Sequence, residues 1–317
     1  MNFSHDSGDF IAGKEAKPLP PAKLFALFEP SITKYSIQYA NGEDGKSRRF
    51  DFDKTFSHEN LVIYYDKFQK VAEDIVKKLE QAGPDDHLPL GQYMFLFAVK
   101  AALVGLLGDS FHDDVEALAF KDSYDIAWEE MNRRLVDPYL PSDEDARSKS
   151  FLKVLTWTVY FLAANKHFQE LLYQELVSVL GLDGDVSHHN ISNLKYLRQI
   201  LDEGLRCGVV APWAARFEDV DRTLGGYFIP KGTPVIHALG VVLTDEKIWP
   251  EPHNPYGFAG KRICPGYRFA YVEATIMLAT IIRNFEVTLV PGQTVLPKHG
   301  LVTHPKEEIW INVMKRK

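Results

Sequence analysis

Cys264 is one of only two cysteines in the chain, and it stands in the stretch YGFAGKRICPGYRFAYVEA at residues 256–274. Gly260 and Gly266 remove side chains on either side of it, so a flat ligand could approach the sulfur closely. Arg262 places a cation beside it. The residues that follow, among them Phe269, Val272, Ile276, Leu278 and Ile282, are apolar nearly all round a helix expected over 266–285, and such a helix is buried. A cysteine at the N-terminal edge of that helix meets unpaired backbone N–H groups and the positive end of the dipole, a setting that favours thiolate. Thiolate, cation and bare backbone together are what an iron ligand requires. The competing reading is a small buried hydrophobe, which describes most free cysteines.

Other residues with chemical potential are weaker. Glu203 and Arg206 fall at i, i+3 on an expected helix, where opposite charges are neighbours. His188, His189, His299 and His304 show neither an HExxH pattern nor a cysteine at zinc spacing, so they read as surface loop histidines. Cys207 reads as core. Gly225-Gly226 is a hairpin turn, since no GxxxxGK follows to make a phosphate cradle. Lys231, Lys247 and Lys261 are too few to make an extended docking field for an acidic partner.

The elements that must position these residues are mostly helical. Leu61, Tyr65, Phe68, Ala72, Ile75 and Leu79 recur at helical spacing over 59–81, with Gly83-Pro84 as the stop. A more apolar helix is expected over 90–107, ending at Gly108, and another over 113–135. Residues 136–150, VDPYLPSDEDARSKS, are rich in charge and turn formers and make the best internal break. Beyond them lies a long helix, or two with a bend near Asn165, then a short one marked by Leu194, Leu197, Leu201 and Leu205. Residues 215–240 alternate apolar and polar types around Gly-Gly and Pro-Lys-Gly turns, as small strands do. Val287 and Leu289 alternate in the same way, as do Ile309, Ile311 and Val313, like paired strands. The fold class expected is mainly α with a minor antiparallel β-sheet.

With 317 residues, 45% hydrophobic, 25% charged and a net charge of −7, the chain has the composition of an ordinary globular protein. Mild acidity argues against nucleic acid as the main partner, and two cysteines build no disulfide framework. Residues 1–21 are polar and contain Pro and Gly, which predicts a disordered or extended segment without a signal peptide. The apolar runs at 93–107 and 151–164 carry Lys100 and Lys153 and fall short of a membrane span, so core helices are expected there.

GFAGKRICPG resembles the haem-ligand signature of the cytochromes P450, FxxGxRxCxG, at Gly260, Arg262, Cys264 and Gly266. Upstream, Glu203-Gly-Leu-Arg206 resembles that family's ExxR pair, ahead of APWAAR and GGYFIPKGTPV in the family's order. The stretches PWAARFEDVD, VIHALGVVLTDEKIWPEPH, YRFAYVEAT and GLVTHPKEEIWI most resemble family 20. The resemblance implies a single P450-like domain over 22–317, haem b as cofactor, and Cys264 as axial thiolate. It implies a structural role for Glu203 and Arg206, and Arg216 and Arg262 as partners of haem propionates, a pairing that suits guanidinium. The implied reaction inserts one oxygen atom of O2 into a small apolar substrate, with electrons from a flavoprotein reductase. The family's endoplasmic-reticulum anchor is not found in this sequence, which implies a cytoplasmic or peripheral placement.

The departures from the pattern are as specific as the match. Gly257 stands where the signature begins with Phe, and Phe258 follows one place later. Between Pro252 and Tyr256 the chain has only HNP, so the aromatic-Arg element that locks onto ExxR is absent and the pair is expected to lack its third partner. Anchored on Leu155-Thr156-Trp157, the family's acid-alcohol pair falls near Lys149 and Ser150, so the acid is missing. Ser150 and Thr156 are the remaining hydroxyl candidates, with Thr158 behind them, although ordinary local backbone bonding accounts for such residues on helices. The Trp-x-x-x-Arg propionate element is also missing; Arg48 and Arg49 stand in that region and read as a solvated charged face. The charged 136–150 stretch stands in place of helices that roof the substrate pocket, leaving the expected fold incomplete. These losses support an alternative function, a non-catalytic haem-binding or interaction protein derived from a P450.

Overall fold

The computed structural model describes residues 37, 40, 42–83, 85–108, 113–115, 117–119, 153–217, 220–245, 264, 266–300 and 302–316. The expectations for residues 1–21 and for the break at 136–150 lie outside them.

The charged segment GEDGKSRRFDFDKT forms helix α1 (Gly42–Thr55), which hydrophobic periodicity does not reveal. Its support is local instead: Lys46 pairs with Glu43, Arg48 with Asp44 and Arg49 with Asp53, at spacings where helix neighbours meet. The single helix expected over 59–81 is two, α2 (His58–Leu61) and α3 (Tyr65–Glu80), joined by a 3-10 turn at Val62–Tyr64. Ser57 caps the first, its Oγ accepting the Asn60 N–H at 3.4 Å.

Helix α4 (Leu90–Leu107) has the expected bounds and stops at Gly108, whose φ of 103° suits glycine. Lys100 interrupts its apolar run yet is only 2% exposed. Its ammonium lies 2.8 Å from a carboxylate oxygen of Asp74 on α3 and 2.8 Å from one of Asp114. Two acids therefore satisfy the buried charge, and the helix stays in the core. Helical backbone resumes at 114–115 and 117–119, where the next helix was expected, and residues 120–135 lie outside the described residues.

Asn165 separates α5 (Lys153–Ala164) from α6 (Lys166–Leu180), resolving the expected bend as a break. Helix α7 (Lys195–Gly208) crosses α5 at close range. A Cβ added at Gly204 would lie 2.1 Å from Thr158 Oγ1, and one at Gly208 would lie 2.8 Å from the Trp157 ring. Two glycines one turn apart thus set the spacing of this helix pair.

Next, β2 (Ala214–Phe217) pairs antiparallel with β5 (Pro234–His237). Between them, β3 (Arg222–Leu224) and β4 (Tyr227–Ile229) form the expected hairpin around Gly225 and Gly226, whose φ values are 57° and 84°. The strand alternation read as far as residue 240 gives way to a short helix, α8 (Leu239–Thr244). Then come α9 (Tyr267–Asn284), β6 (Phe285–Leu289), β7 (Pro297–Lys298), β8 (His304–Pro305) and β9 (Trp310–Lys315). Val287 faces Val313 and Leu289 faces Ile311 across β6 and β9, and β1 (Leu88–Pro89) completes an antiparallel sheet in the order β1-β9-β6.

The result is mainly α with small antiparallel sheets, as expected. One core cluster runs from Phe56 to Ile311. Helix α9 lies within it, packed against α3, α6 and α7, and is buried almost throughout from Val272 to Ile282. One surface expectation fails: His304 is buried, its Nδ1 2.9 Å from the Pro305 carbonyl, and it lies in β8, paired with β7, rather than in a loop.

Candidate functional site

Helix α9 starts where the chemistry begins. Gly266 is its N-cap, and the Gly266 carbonyl accepts the Ala270 N–H at 3.0 Å. Just ahead, the Cys264 carbonyl accepts the Tyr267 N–H at 3.3 Å, closing a turn that brings the cysteine to the helix start. Cys264 is exposed. A Cβ added at Gly266 would meet nothing within 4 Å among the described residues, and the φ there is −84°. Neither backbone conformation nor described packing demands glycine at that position, so its effect is to keep one side of the cysteine bare.

Aromatic packing fixes the first turn of α9. The Phe269 ring stands edge-on to Phe56 (5.6 Å), Tyr64 (5.3 Å) and Phe68 (4.9 Å between centroids), the arrangement that ring quadrupoles prefer. Gly105 on α4 admits the same ring, since a Cβ there would come within 3.2 Å of it. The start of α9 is thereby held against Phe56 ahead of α2, the 3-10 turn at Val62–Tyr64, α3 and α4.

On α7, Arg206 meets Glu203 through two guanidinium nitrogens, Nε at 2.7 Å from Oε2 and Nη2 on Oε1. Those hydrogen bonds hold the Glu203 carboxyl below its ordinary range. The pair has a further partner that sequence reading did not foresee: Arg206 Nη1 donates to the Leu243 carbonyl on α8 at 2.8 Å. A backbone oxygen therefore takes a place expected to be empty. Cys207 also differs from the expected core residue. Its Sγ accepts from Arg206 Nη2 at 3.0 Å and lies 3.4 Å from Glu203 Oε1. Position i+4 from Glu203 was a signal for this contact, since that spacing shares a helix face.

The two cysteines can now be told apart as donors. Burial, followed by the charge of Glu203, pushes the Cys207 thiol up to about 11, so it stays protonated at neutral pH and is enclosed by its own pair. Cys264 is exposed at the start of a long helix beside an open glycine. That donor set fits an iron porphyrin on Cys264 and not on Cys207.

The remaining candidates are scattered or unplaced. Arg216 lies in β2 opposite Val235, with its side chain outside what is described. Phe258, Gly260, Arg262 and Ser150 lie outside the described residues, as do Lys149, Lys247 and Lys261. Thr156 is buried on α5 and its Oγ1 has no hydrogen-bond partner among the described residues. The Thr158 hydroxyl donates to the Val154 carbonyl at 2.8 Å and packs on Gly204, so it is committed to the α5–α7 crossing. No group of three or more His, Cys, Asp or Glu suited to a metal ion exists among the described residues. None of the described helices is long and apolar enough to cross a membrane.

Comparison with known proteins gives the chain's relatives. The chain is 26% identical to human cytochrome P450 20A1 over 93% of its own length and 80% of that protein. It is 28% identical to the bovine protein of the same name over 78% of this chain and 69% of the relative. Human sterol 26-hydroxylase, mitochondrial, is 24% identical over 92% of this chain and 52% of that protein. Its name places that relative in the mitochondrion. Residues 151–256 and 253–312 match the family model described as cytochrome P450, whose members are haem-thiolate monooxygenases that bind haem b. The span so matched begins just before α5, takes in the ExxR helix and ends beyond Cys264 and α9, and with it the chain belongs to the cytochrome P450 family.

Proposed function

We propose that this chain is a haem-thiolate monooxygenase that inserts one oxygen atom of O2 into a small apolar substrate, with electrons from a flavoprotein reductase. The observation that carries this reading is Cys264, exposed at the start of α9 beside an open Gly266, while Cys207 is enclosed by Glu203 and Arg206. Cys264 would ligate the iron as thiolate. Arg216 and Arg262 would pair with the propionates, Gly260 and Gly266 would keep side chains out of the ring's way, and Phe258 would pack beside the loop. Bound haem would supply dioxygen activation, which a thiolate ligand favours by donating electron density.

The chain's own residues would do the rest. The Glu203–Arg206–Leu243 bonds tie α7 to α8. The Phe269 cage holds the start of α9. Thr156 offers a buried hydroxyl not already spent on its neighbours, the α5 group best able to hold a proton donor near bound ligand. Residues 22–317 are proposed to fold as one domain, which the continuous core from Phe56 to Ile311 supports.

Lys149, standing where the family carries an acid, favours the second reading, a haem-binding protein without turnover. The purified full chain, loaded with haem and reduced under carbon monoxide, should give the thiolate-type Soret band. Cys264→Ala should abolish that band while leaving the unfolding free energy of the haem-free chain within about 0.5 kcal/mol of wild type, because the side chain is exposed. A chain that never takes up haem refutes both readings. One that binds haem but does not consume reductant with oxygen, with or without apolar additives and reductase, refutes the enzyme.

A further inference from the structure

The second turn of α9 carries Tyr271, a residue that no signature in the sequence marks. Its hydroxyl donates to Asp202 Oδ1 on α7. Arg198, one turn earlier on α7, holds the same carboxylate from Nε at 3.2 Å and 3.1 Å. The Arg198 guanidinium also lies 3.6 Å from the Tyr271 ring centroid. The three side chains close a loop: phenol to carboxylate, carboxylate to guanidinium, guanidinium to ring face. Each contact is directional.

Placement gives this set its meaning. Phe269 and Tyr271 are two residues apart, about 200° around the helix, so they leave α9 on nearly opposite sides. Phe269 enters the cage of Phe56, Tyr64 and Phe68, while Tyr271 enters the grip of α7. Two opposed anchors fix both the rotation of α9 about its axis and its sliding along it. The turn closed by the Cys264 carbonyl on the Tyr267 N–H carries that setting directly to the cysteine. Asp202 is the chain neighbour of Glu203, so the same turn of α7 that carries the ExxR pair also seats α9.

We propose that Tyr271, with Asp202 and Arg198, is a positioning set that determines how the Cys264 sulfur is presented to haem iron. This rests on the reading of Cys264 as the thiolate ligand. Groups beyond the first ligand tune a metal centre by orienting that ligand. A shift of α9 by part of a turn would move the sulfur while leaving the core filled, so ligation is more sensitive than folding to the loss of this set.

The test compares haem-loaded full-length variants by the ratio of thiolate-type to non-thiolate Soret bands under carbon monoxide, by ferric–ferrous potential and by thermal midpoint. Tyr271→Phe keeps the ring beneath Arg198 and removes the bond to Asp202. The expected result is a several-fold rise in the non-thiolate fraction at equal haem content, with a changed potential. Asp202→Asn keeps a carbonyl acceptor for the phenol and should recover most of the wild-type ratio. Arg198→Ala, at a side chain 53% exposed, perturbs the fold least and should move the ratio in the same direction as Tyr271→Phe. Val287→Ala, in β6 beyond the far end of α9, serves as the control that lowers the midpoint without touching the set. Unchanged ratios and potentials in both Tyr271→Phe and Arg198→Ala overturn the proposal, as does an equal change in Val287→Ala. A wild-type chain with no thiolate band refutes the ligand assignment of Cys264, and this inference with it.

Discussion

Glu273 occupies the middle of α9, where its Oε1 is buried without a hydrogen-bond partner among the described residues. Burial pushes its carboxyl from 4.5 up to about 8, so the folded chain holds a proton that the unfolded chain releases. The sign follows from that difference. Stability should fall as pH rises from the unfolded value through the folded one, and level off above it. The interval from 4.5 to about 8 corresponds to about 5 kcal/mol as an upper bound, comparable with the whole stability of many domains. Glu273→Gln keeps the shape and the neutral state and removes this slope. At pH 5 the variant should match wild type within about 1 kcal/mol, the scale of one exchanged hydrogen-bonding group. At pH 9 it should be the more stable by about 3–5 kcal/mol. Urea unfolding of both chains at pH 5, 7 and 9 reads the difference directly. Other groups cancel in that comparison, including Asp185, which burial and the nearby Glu73 and Asp66 also push up. Equal stability of variant and wild type at pH 9 would refute the buried, unpartnered placement of Glu273.

Gly204→Ala puts a Cβ 2.1 Å from Thr158 Oγ1. It should destabilise by about 2–3 kcal/mol, and Thr158→Ala should restore part of that loss, measured as a double-mutant cycle. For Asp74, burial would raise the carboxyl, but hydrogen bonds from Lys100 and Lys78 outweigh it and hold the group at about 2. That stabilisation is present above the unfolded value and lost as pH falls through about 2. Lys100→Met removes the larger of the two lysine contributions, so its acid-unfolding midpoint should move to higher pH than wild type. An unchanged midpoint would show that Lys78 alone holds Asp74.

What the sequence made legible divides along physical lines. Helix α3 announced itself by the period of its apolar face, and α4 and α9 by being apolar nearly all round, because burial is what stabilises all three. Helix α1 has no such face; it rests on ion pairs one turn apart, a pattern that also reads as a solvated charged stretch. The cysteine loop was legible because bare glycines and a cation beside a thiol serve few purposes. The partner of Arg206 was not, because it is a carbonyl, and every residue carries one. Tyr271 was hidden for a related reason: a tyrosine on a buried helix looks like core until the carboxylate it reaches is known.

That division explains how a chain can depart from its family's pattern and keep the arrangement. The aromatic-Arg element absent between Pro252 and Tyr256 was expected to leave Glu203 and Arg206 short of a partner. A guanidinium has five N–H donors and donates to any oxygen suitably placed in its plane. The Leu243 carbonyl satisfies one of them at 2.8 Å, and the thiol of Cys207 meets another at 3.0 Å. Neither contact asks for a particular side chain at position 243, so a departure in the motif need not be a departure in the hydrogen-bonding. On the proposed reading, the site depends less on the motif residues this chain lacks than on the relative seat of α7 and α9, which Tyr271 and Phe269 contact from opposite sides of α9.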